Sequence, residues 1–507
     1  MAEAFPLWVA ATVPLACGGL LSLFVERLLR PDPGPVTRSA AAAAIHLGLW
    51  ALGCCGMLAI VHRPWFAACL ALAALFLLVA TSNSKSRALR EPFVFQDYEF
   101  FIDMMKHPRL YLPFFGIGRA LFGVTAFGIM LYAGFRFEPS LLARSGNAPF
   151  WTGCALLAAL GGALLWTGTR RGPALVFEPA ADLRRHGLLA CLWYYALAER
   201  RQIPPQNGPA VFSSNPGTSG RRLPHVLAVQ SESFFDVRRL VPGIEPDLLR
   251  EFDAIRDSAS RSGHIEVPAW GANTVRSEFA FLSGIDNAQL GAHRFNPYRT
   301  IAMQGIPTIA GFLKRAGYRT LCVHPYDGSF YGRDRVLPAL GFDEFIDIRA
   351  FAAADRSGPF VGDLAVADKV DSLLAGLGQP AFVFVITMEN HGPLGMEQAA
   401  PEDLARLREA PAAEGADLAV YLRHLRNADR MIGRLRASLE RAPAGGSFCW
   451  YGDHVPVLPE AYETRGFSDG RTDYFIWSTA RDRGPPLRSD VKLQDLAALL
   501  LEEAGFR

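Results

Sequence analysis

The sequence predicts an α-helical transmembrane domain of five spans, followed by an α/β domain with a mainly parallel central sheet that helices cover. Five apolar stretches lie in the first third of the 507 residues, and each is long enough to cross a bilayer. Behind them, short apolar runs alternate with helical patterns, as in α/β proteins. Residues 1–173 carry 14 Lys and Arg against 8 Asp and Glu, whereas residues 174–507 carry 37 against 41, so the two parts also differ in charge.

Composition narrows the class of protein. Half of the residues are hydrophobic and only 20% are charged, which excludes a disordered chain. The formal net charge of +2 offers no strongly basic surface, so we expect no nucleic-acid partner. The five apolar stretches exclude a cytosolic monomer. We therefore divide the chain into a transmembrane domain over residues 1–168, a juxtamembrane connector and linker over 169–222, and a C-terminal domain over 223–507.

The expected spans are residues 6–25, 40–61, 64–82, 112–135 and 149–168. Residues 1–6 carry no basic side chain, so the first span is not expected to be a cleaved signal peptide. Five spans place the N-terminus and the C-terminal domain on opposite sides. Basic residues in short loops favour the cytoplasm, and their distribution by itself predicts a cytoplasmic C-terminal domain. On its side lie Arg27, Arg30, Arg38, Lys85, Arg87, Arg90, Lys106, Arg109, Arg170 and Arg171, and opposite lie Arg63, Arg136 and Arg144.

The C-terminal domain reads as alternating strands and helices. Apolar runs predict strands at residues 225–230, 319–324, 381–387, 447–451 and 473–477, and helical patterns cover 246–260, 308–316, 363–377, 418–440 and 493–504. In the connector we expect one surface helix over 182–201, before a Pro-, Gly- and Ser-rich linker over 204–220. Cys322 and Cys449 are the only cysteines after residue 223, and both fall in predicted strands, so no disulfide framework is visible.

Polar clusters follow the predicted strands, where parallel α/β sheets bind their ligands. Glu232 follows the first strand, and Asp453 and His454 follow the strand at 447–451. A single polar residue at such a place is more often a loop or helix cap than a ligand. Capping does not readily explain five clusters in one domain, and we expect a functional site. The other members are His324, Tyr331 and Arg333 after the strand at 319–324, Asn390 and His391 after the strand at 381–387, and Thr274, which opens a helix.

The residue types in these clusters suit one kind of chemistry. Two carboxylates and one imidazole, from Glu232, Asp453 and His454, form a donor set for Mn²⁺ or Zn²⁺. A metal beside Thr274 could lower the pKa of its hydroxyl, and a helix N-terminus favours an alkoxide and an incoming phosphate. An arginine can hold phosphate oxygens with two hydrogen bonds, and histidines can donate hydrogen bonds or carry protons. The set predicts phosphoryl or sulfuryl transfer through a covalent intermediate.

These motifs, in this order and behind five spans, resemble the lipoteichoic acid synthase group of membrane phosphoglycerol transferases, within the alkaline phosphatase and sulfatase superfamily. The resemblance covers essentially the whole chain. It implies that Glu232, Thr274, Asp453 and His454 hold the metal and that Thr274 is the nucleophile, with His391 also catalytic. It further implies that His324, Tyr331, Arg333 and Asn390 bind substrate. Tyr331 stands where the lipoteichoic acid synthases have Trp, and the stretch from His324 to Arg333 is closer to proteobacterial relatives.

The resemblance implies a reaction and a location. Thr274 would take glycerophosphate from phosphatidylglycerol and pass it to an envelope glycan or polymer, with one divalent metal ion, Mn²⁺ first and Zn²⁺ or Mg²⁺ open. The protein would be a multi-pass bacterial inner-membrane protein among membrane lipids, with a periplasmic catalytic domain. This orientation conflicts with the distribution of basic residues. We follow the resemblance, because basic loops on the donor side would attract anionic phosphatidylglycerol.

Alternatives remain open from the sequence. One is a phosphoethanolamine transferase acting on lipid A or a glycan, although such enzymes usually carry several disulfides in the periplasmic domain. Another is a degenerate, non-enzymatic envelope sensor or scaffold. Sulfatase activity is not expected, because the chain has no Cys/Ser-x-Pro-x-Arg motif. The acceptor, the metal and the oligomeric state stay undetermined, as do the roles of Asn273, Glu278, Asp327 and Glu389.

Overall fold

The computed structural model describes residues 4–32, 34–35, 38–98, 117–201, 208–217, 223–404, 412–466, 469–480 and 486–506. The chain divides into two compact units, Met1–Arg201 and Gln202–Arg507, and each is described by itself.

Where the structure describes it, the first unit is helical and contains five helices long and apolar enough to cross a membrane, which confirms the predicted number of spans. The third span continues beyond the expected residue 82, and residues 112–116 of the expected fourth span lie outside the described residues. The helices are α1 Ala4–Val25, α2 Ala40–Val61, α3 Pro64–Leu89, α4 Ile117–Phe137, α5 Leu141–Ser145, α6 Asn147–Arg170, α7 Pro179–His186 and α8 Leu188–Glu199.

The single connector helix predicted over 182–201 is wrong, because the segment forms two helices, α7 and α8. Gly187 separates them with a φ of +81°, a left-handed conformation that a residue with a Cβ rarely adopts. In the sequence, Gly187 is the only indication that the helix ends there, because the amphipathic pattern continues across it.

Helices α2 and α6 pack closely through small residues. A Cβ on Gly48 would lie 2.8 Å from the carbonyl oxygen of Gly161, and a Cβ on Gly161 would lie 3.0 Å from that of Gly48. Glycines at such positions let membrane helices approach until their backbones touch. The pair therefore sets the distance between the second and fifth spans.

Two largely buried charged groups in the first unit, Glu26 and Lys85, have partners of opposite charge. The carboxylate of Glu26 is fully buried and bonds Arg38, and it also accepts from the backbone N–H of Leu189 at 2.9 Å. Lys85, one of the basic residues expected to attract anionic lipid, lies in helix α3 and donates to Glu91 and to Asp97 at 2.6 Å each. Its ammonium group is therefore largely neutralised within the protein.

Among its described residues, the second unit is built on a nine-stranded sheet with the order β10-β2-β9-β8-β1-β7-β3-β4, and β11 pairs with β2. Strands β8, β1, β7, β3 and β4 are parallel, and β9 runs antiparallel to both β8 and β2. The bounds are β1 His225–Ser231, β2 Arg261–Glu266, β3 Arg319–Val323, β4 Glu344–Ile346, β7 Ala381–Ile386, β8 Gly446–Gly452, β9 Thr472–Ser478, β10 Leu487–Arg488 and β11 Val491–Lys492, with a separate hairpin of β5 Arg356–Ser357 and β6 Phe360–Val361.

Alternate strand residues bury opposite faces of the sheet. In β1, Leu227 and Val229 face one core cluster, whereas Val226 and Ala228 face the other. Helices close both faces and complete the predicted α/β sandwich: α9 Ala210–Ser213, α10 Arg250–Ser258, α11 Thr274–Ser283, α12 Ile309–Arg315, α13 Arg333–Ala339, α14 Asp363–Gly376, α15 Pro401–Leu404, α16 Ala412–Arg441, α17 Pro459–Arg465 and α18 Leu493–Glu503.

Candidate active site

The topology brings the predicted site residues to one edge of the sheet. Strands β8, β1, β7 and β3 are consecutive and parallel, so their carboxyl ends share that edge. Glu232 follows β1, Asp453 follows β8, Asn390 lies just beyond β7, and His324 follows β3. Residues that are more than 200 positions apart in the sequence thereby become neighbours.

Glu232, Asp453 and His454 form a buried group whose ligand atoms all lie within 4.8 Å of one another. Nε2 of His454 lies 3.2 Å from Oδ2 of Asp453 and 3.7 Å from Oε1 of Glu232. All three side chains are almost completely removed from solvent. Two carboxylates and one imidazole in this arrangement are a donor set for a divalent metal ion.

Hydrogen bonds hold these side chains with their lone pairs directed at one another. Oδ1 of Asp453 accepts from the backbone N–H groups of Ser233 and His454, both at 2.9 Å, which leaves Oδ2 without a hydrogen bond. Nδ1 of His454 donates to the carbonyl oxygen of Val455 at 3.1 Å, so Nε2 carries a lone pair and likewise has no hydrogen bond. Two buried, unsatisfied acceptors are what a cation would satisfy, and the residues fit a metal.

The electrostatics of the group agree with this interpretation. Burial, together with the neighbouring Asp453 carboxylate, raises the pKa of Glu232 to about 8. Burial also raises the pKa of Asp453. Carboxyl groups that share a buried space resist ionisation unless a positive charge joins them.

Thr274 is the first residue of helix α11, as expected; it is buried, and its side chain lies close enough to the Asp453 carboxylate to counteract part of the rise in its pKa. Asn273 precedes it in a left-handed conformation with a φ of +68°. One turn further on, the hydroxyl of Ser277 donates to the backbone carbonyl oxygen of Asp453 at 2.7 Å. The helix that carries Thr274 is thus fastened to the loop that carries Asp453 and His454.

Three residues other than glycine take left-handed conformations in the second unit's described residues: Ser233, Asn273 and Tyr331, with φ values of +54°, +68° and +58°. Each of the first two is adjacent to a predicted metal ligand, and the third is itself a predicted substrate residue. Such conformations cost free energy and persist where the surrounding structure imposes them, often at functional sites.

Arg333 is buried and held by an acidic partner. Its Nε donates to Oε2 of Glu278 at 3.1 Å, and its Nη2 forms a second ion pair with Oε1. Its Nη1 donates to Nε2 of His324 at 3.2 Å. The Arg333 guanidinium also lies over the ring of Tyr331, 5.1 Å from the centroid. The structure thereby brings His324, Tyr331 and Arg333 together.

Asn390 and His391 lie past the end of β7. Asn390 is buried, and neither atom of its amide has a hydrogen-bond partner. His391 is partly exposed, and its Nδ1 donates to the carbonyl oxygen of Gly392 at 2.6 Å, so Nε2 carries the lone pair. Burial lowers the pKa of His391, which favours the neutral ring. This ring can accept a proton.

Two residues of undetermined role hold loops. Asp327 accepts from the backbone N–H and the hydroxyl of Ser329, at 2.8 and 2.7 Å. The buried Glu389 accepts from three donors, which are the backbone N–H of Asp363, the hydroxyl of Ser357 and the amide of Asn427.

Sequence reasoning missed several residues that support the site. Ser233 and Ser277 bond the loops of Glu232 and Asp453, and the hydroxyl of Thr387 accepts from the backbone N–H of Glu232 at 2.9 Å. Their positions next to strand ends and one turn after Thr274 were visible in the sequence. Serine and threonine are too common at such places for their positions alone to indicate a role.

A family comparison identifies the class of domain to which this fold and this group of side chains belong. Residues 224–506 match the sulfatase family, and the chain belongs to that family. Enzymes of this fold use a divalent metal ion, and the acidic and histidine group described above is a candidate site for one.

Individual relatives extend the comparison. The capsular polysaccharide biosynthesis protein RkpI of Rhizobium meliloti is 29% identical over 479 residues, which are 89% of this chain and 85% of that protein. A putative cyclic beta-1,2-glucan modification protein of the same organism is 30% identical over 258 residues, and the match spans 50% of this chain and 39% of that protein. The solved structure of Streptococcus pyogenes phosphoglycerol transferase GacH in complex with sn-glycerol-1-phosphate is 23% identical, covers 58% of this chain and 77% of that chain, and has a TM-score of 0.45.

Proposed function

We propose that this protein is a membrane phosphoglycerol transferase that moves glycerophosphate from phosphatidylglycerol to an envelope glycan or polymer through a phospho-threonine on Thr274. The observation that carries the proposal is the position of Thr274 at the start of a helix, with its side chain near the Asp453 carboxylate of the buried group of Glu232, Asp453 and His454. A hydroxyl at a helix start, a group of side chains that could hold a metal ion and a buried arginine support this proposal.

Glu232, Asp453 and His454, together with Thr274, would hold the metal, with Mn²⁺ our first choice. A divalent cation bound there would lower the pKa of the Thr274 hydroxyl and offset the negative charge of the phosphate. The N–H groups at the start of α11 face the same region and favour an anion. Arg333 is close enough to Glu232 to interact with it electrostatically and would also attract the phosphate.

The chemistry proceeds in two displacements at phosphorus. The Thr274 oxygen forms a bond to phosphorus while the bond to the diacylglycerol oxygen breaks, and diacylglycerol leaves after taking up a proton. An acceptor hydroxyl then attacks, the bond between phosphorus and Thr274 breaks, and Thr274 regains its proton. The neutral His391, with its free Nε2 lone pair, would take the proton of the acceptor hydroxyl.

The acceptor is proposed to be an envelope glycan. Two relatives are named for a capsular polysaccharide and for a cyclic glucan, which are both glycans of the cell envelope. The reaction then belongs on the outer side of the inner membrane, with the catalytic domain periplasmic. The basic loops give less support than expected, because Lys85 is paired with Glu91 and Asp97. A reporter fused after Arg171 that is active only in the cytoplasm would contradict both the orientation and the donor.

Peptide mass spectrometry over Thr274 tests the proposal. The detergent-purified protein is incubated with Mn²⁺ and either phosphatidylglycerol or phosphatidylethanolamine. We expect a glycerophosphate adduct on Thr274 with the first lipid and none with the second. A phosphoethanolamine adduct would favour the alternative of a phosphoethanolamine transferase, which the eight unpaired cysteines make less attractive. With neither an adduct nor diacylglycerol release, a non-enzymatic sensor or scaffold would be the better interpretation.

A further inference from the structure

Glu278 lies on helix α11, four residues after Thr274, and its side chain is completely buried. Its carboxylate has two partners. Arg333 contacts both oxygens, and the hydroxyl of Tyr298 donates to Oε2 at 2.8 Å. Residues 274 and 278 are one turn apart and share a helix face, so a single helix carries the proposed nucleophile and the partner of the proposed anion-binding arginine.

We propose that Glu278 is a positioning residue for phosphate binding, which acts by fixing the orientation of Arg333. This proposal rests on the proposed function of the site. A guanidinium has five N–H groups in one plane. A carboxylate that accepts hydrogen bonds from Nε and from one Nη2 hydrogen, along one edge, fixes the orientation of that plane. Nη1 and the remaining Nη2 hydrogen are then the donors on the opposite edge, where a phosphate could be bound.

The next contact shows what the fixed arginine does in turn. Nδ1 of His324 lies 3.1 Å from the carbonyl oxygen of Ile386, which can only accept, so Nδ1 carries the proton. Nε2 of His324 therefore has a lone pair and accepts from Nη1 of Arg333. Both ring nitrogens are in use, and the histidine is neutral. Tyr298, Glu278, Arg333 and His324 thus form one ordered chain of hydrogen bonds.

In this series of hydrogen bonds, His324 orients Arg333, whereas the sequence led us to expect that it binds substrate directly. In this arrangement the imidazole has no N–H left for a phosphate, and it receives a hydrogen bond from Arg333. A phosphate that approaches Nη1 would use the second hydrogen of that nitrogen, because the first is donated to His324. The orientation of Arg333, and so the affinity for phosphate, depends on how firmly Glu278 holds the other edge of the guanidinium.

Isothermal titration of the full-length protein in detergent with Mn²⁺ and glycerol phosphate tests the proposal. We expect Glu278→Gln to raise the Kd for glycerol phosphate about 10- to 100-fold, the usual range when a residue that orients a ligand is changed. The glutamine amide has only one acceptor oxygen, and its NH₂ group, which is itself a donor, would face an N–H group of Arg333. The affinity for Mn²⁺ should change much less, because among the described residues Glu278 has no hydrogen bond with Glu232, Asp453 or His454 and acts on Asp453 only through its charge. Asp429→Asn, which changes a buried carboxylate that accepts from Glu251 and Phe252 on α10, is the matched control and should leave both affinities unchanged.

A double-mutant cycle distinguishes positioning from general support of the fold. If Glu278 acts through Arg333, then Glu278→Gln has no further effect in an Arg333→Met background, whereas independent effects would add. Additive losses, or an unchanged Kd for Glu278→Gln, would overturn the proposal. Should the Gln variant fail to fold, Glu278→Asp keeps the charge but withdraws it from Arg333, and the same rise in Kd is expected.

Inorganic phosphate as a second probe separates this proposal from the proposed function. If the wild type binds inorganic phosphate in an Arg333- and Glu278-dependent way but does not bind glycerol phosphate, the donor assignment fails and the positioning role stands. If the wild type binds neither, both fail.

Discussion

The backbone N–H of Ser233 donates to Oδ1 of Asp453 at 2.9 Å across 220 residues of sequence. The same serine donates from its hydroxyl to Oε1 of Glu232, also at 2.9 Å, and its Oγ lies 3.4 Å from Nδ1 of His454. One residue in a left-handed conformation therefore contacts all three members of the buried acidic and histidine group. It leaves Oδ2 of Asp453 and Nε2 of His454 unsatisfied.

We expect Ser233→Ala to weaken Mn²⁺ binding about tenfold, because the hydroxyl that orients Glu232 is lost while the backbone bond to Asp453 remains. Titration calorimetry measures the change. Ser231→Ala is a matched control, since the Ser231 hydroxyl is buried and has no hydrogen-bond partner, so its removal should leave the affinity nearly unchanged. Equal effects of the two substitutions would show that the hydroxyl of Ser233 does not orient the ligands.

We expect Thr274→Ala to abolish release of diacylglycerol from phosphatidylglycerol, with a loss of at least about 1000-fold, because a nucleophile has no substitute in the site. Thr274→Ser keeps a hydroxyl and should retain measurable activity. Thin-layer chromatography of labelled lipid quantifies the product. A Thr274→Ala variant that still binds Mn²⁺ and still releases diacylglycerol at the normal rate would exclude a phospho-threonine intermediate.

Affinity for the metal should rise with pH between about 6 and 8. The pKa of Glu232 without metal is raised to about 8, mainly by burial and then by Asp453, so below pH 8 a proton occupies the carboxylate and the metal must displace it. The Kd for Mn²⁺ should fall up to about tenfold per pH unit and level off above pH 8. A Kd that stays constant from pH 6 to 8 would contradict this reasoning.

The same raised pKa predicts how the stability of the metal-free protein depends on pH. The pKa of the Glu232 carboxyl is higher in the folded protein, at about 8, than its ordinary value of 4.5. The free energy of unfolding of the metal-free protein therefore decreases as the pH rises from 4.5 to about 8. The increase in melting temperature on adding Mn²⁺ should therefore be larger at pH 8 than at pH 6. Glu232→Gln removes the titrating group and should remove most of this difference in melting temperature between the two pH values.

The sequence was sufficient for the buried central strands of the sheet, including the antiparallel β9, but not for the strands towards its two edges, such as β2 and β4. Strands β1, β3, β7 and β8 are continuous apolar runs, because both of their faces are buried. Strand β2, Arg261–Glu266, is polar and half-buried at the antiparallel side, and it was not predicted. Gly263 interrupts the alternation of apolar and polar side chains along this strand. A Cβ at this position would lie 2.3 Å from the carbonyl oxygen of Ser489.

The residues of the site were likewise predictable only in part. Residues such as Glu232 and Asp453 were predictable because each directly follows an apolar strand, and the topology of parallel strands makes them neighbours. The role of Glu278 was not, since it depends on Arg333, 55 residues away on another element. A pattern along the chain indicates which residues meet at a sheet edge, but it does not indicate how donors and acceptors are paired there.

Helix packing in the first unit gives a last prediction, independent of the chemistry. Alanine stabilises a helix relative to glycine, by about 1 kcal/mol, when its Cβ has room. On α2, a Cβ at Gly53 meets nothing within 4 Å, whereas a Cβ at Gly48 would lie 2.8 Å from the backbone oxygen of Gly161. Gly53→Ala should leave the melting temperature in detergent unchanged or raise it. Gly48→Ala should lower the melting temperature, because α2 and α6 must move apart. We expect the free energy of unfolding to fall by about 1–3 kcal/mol.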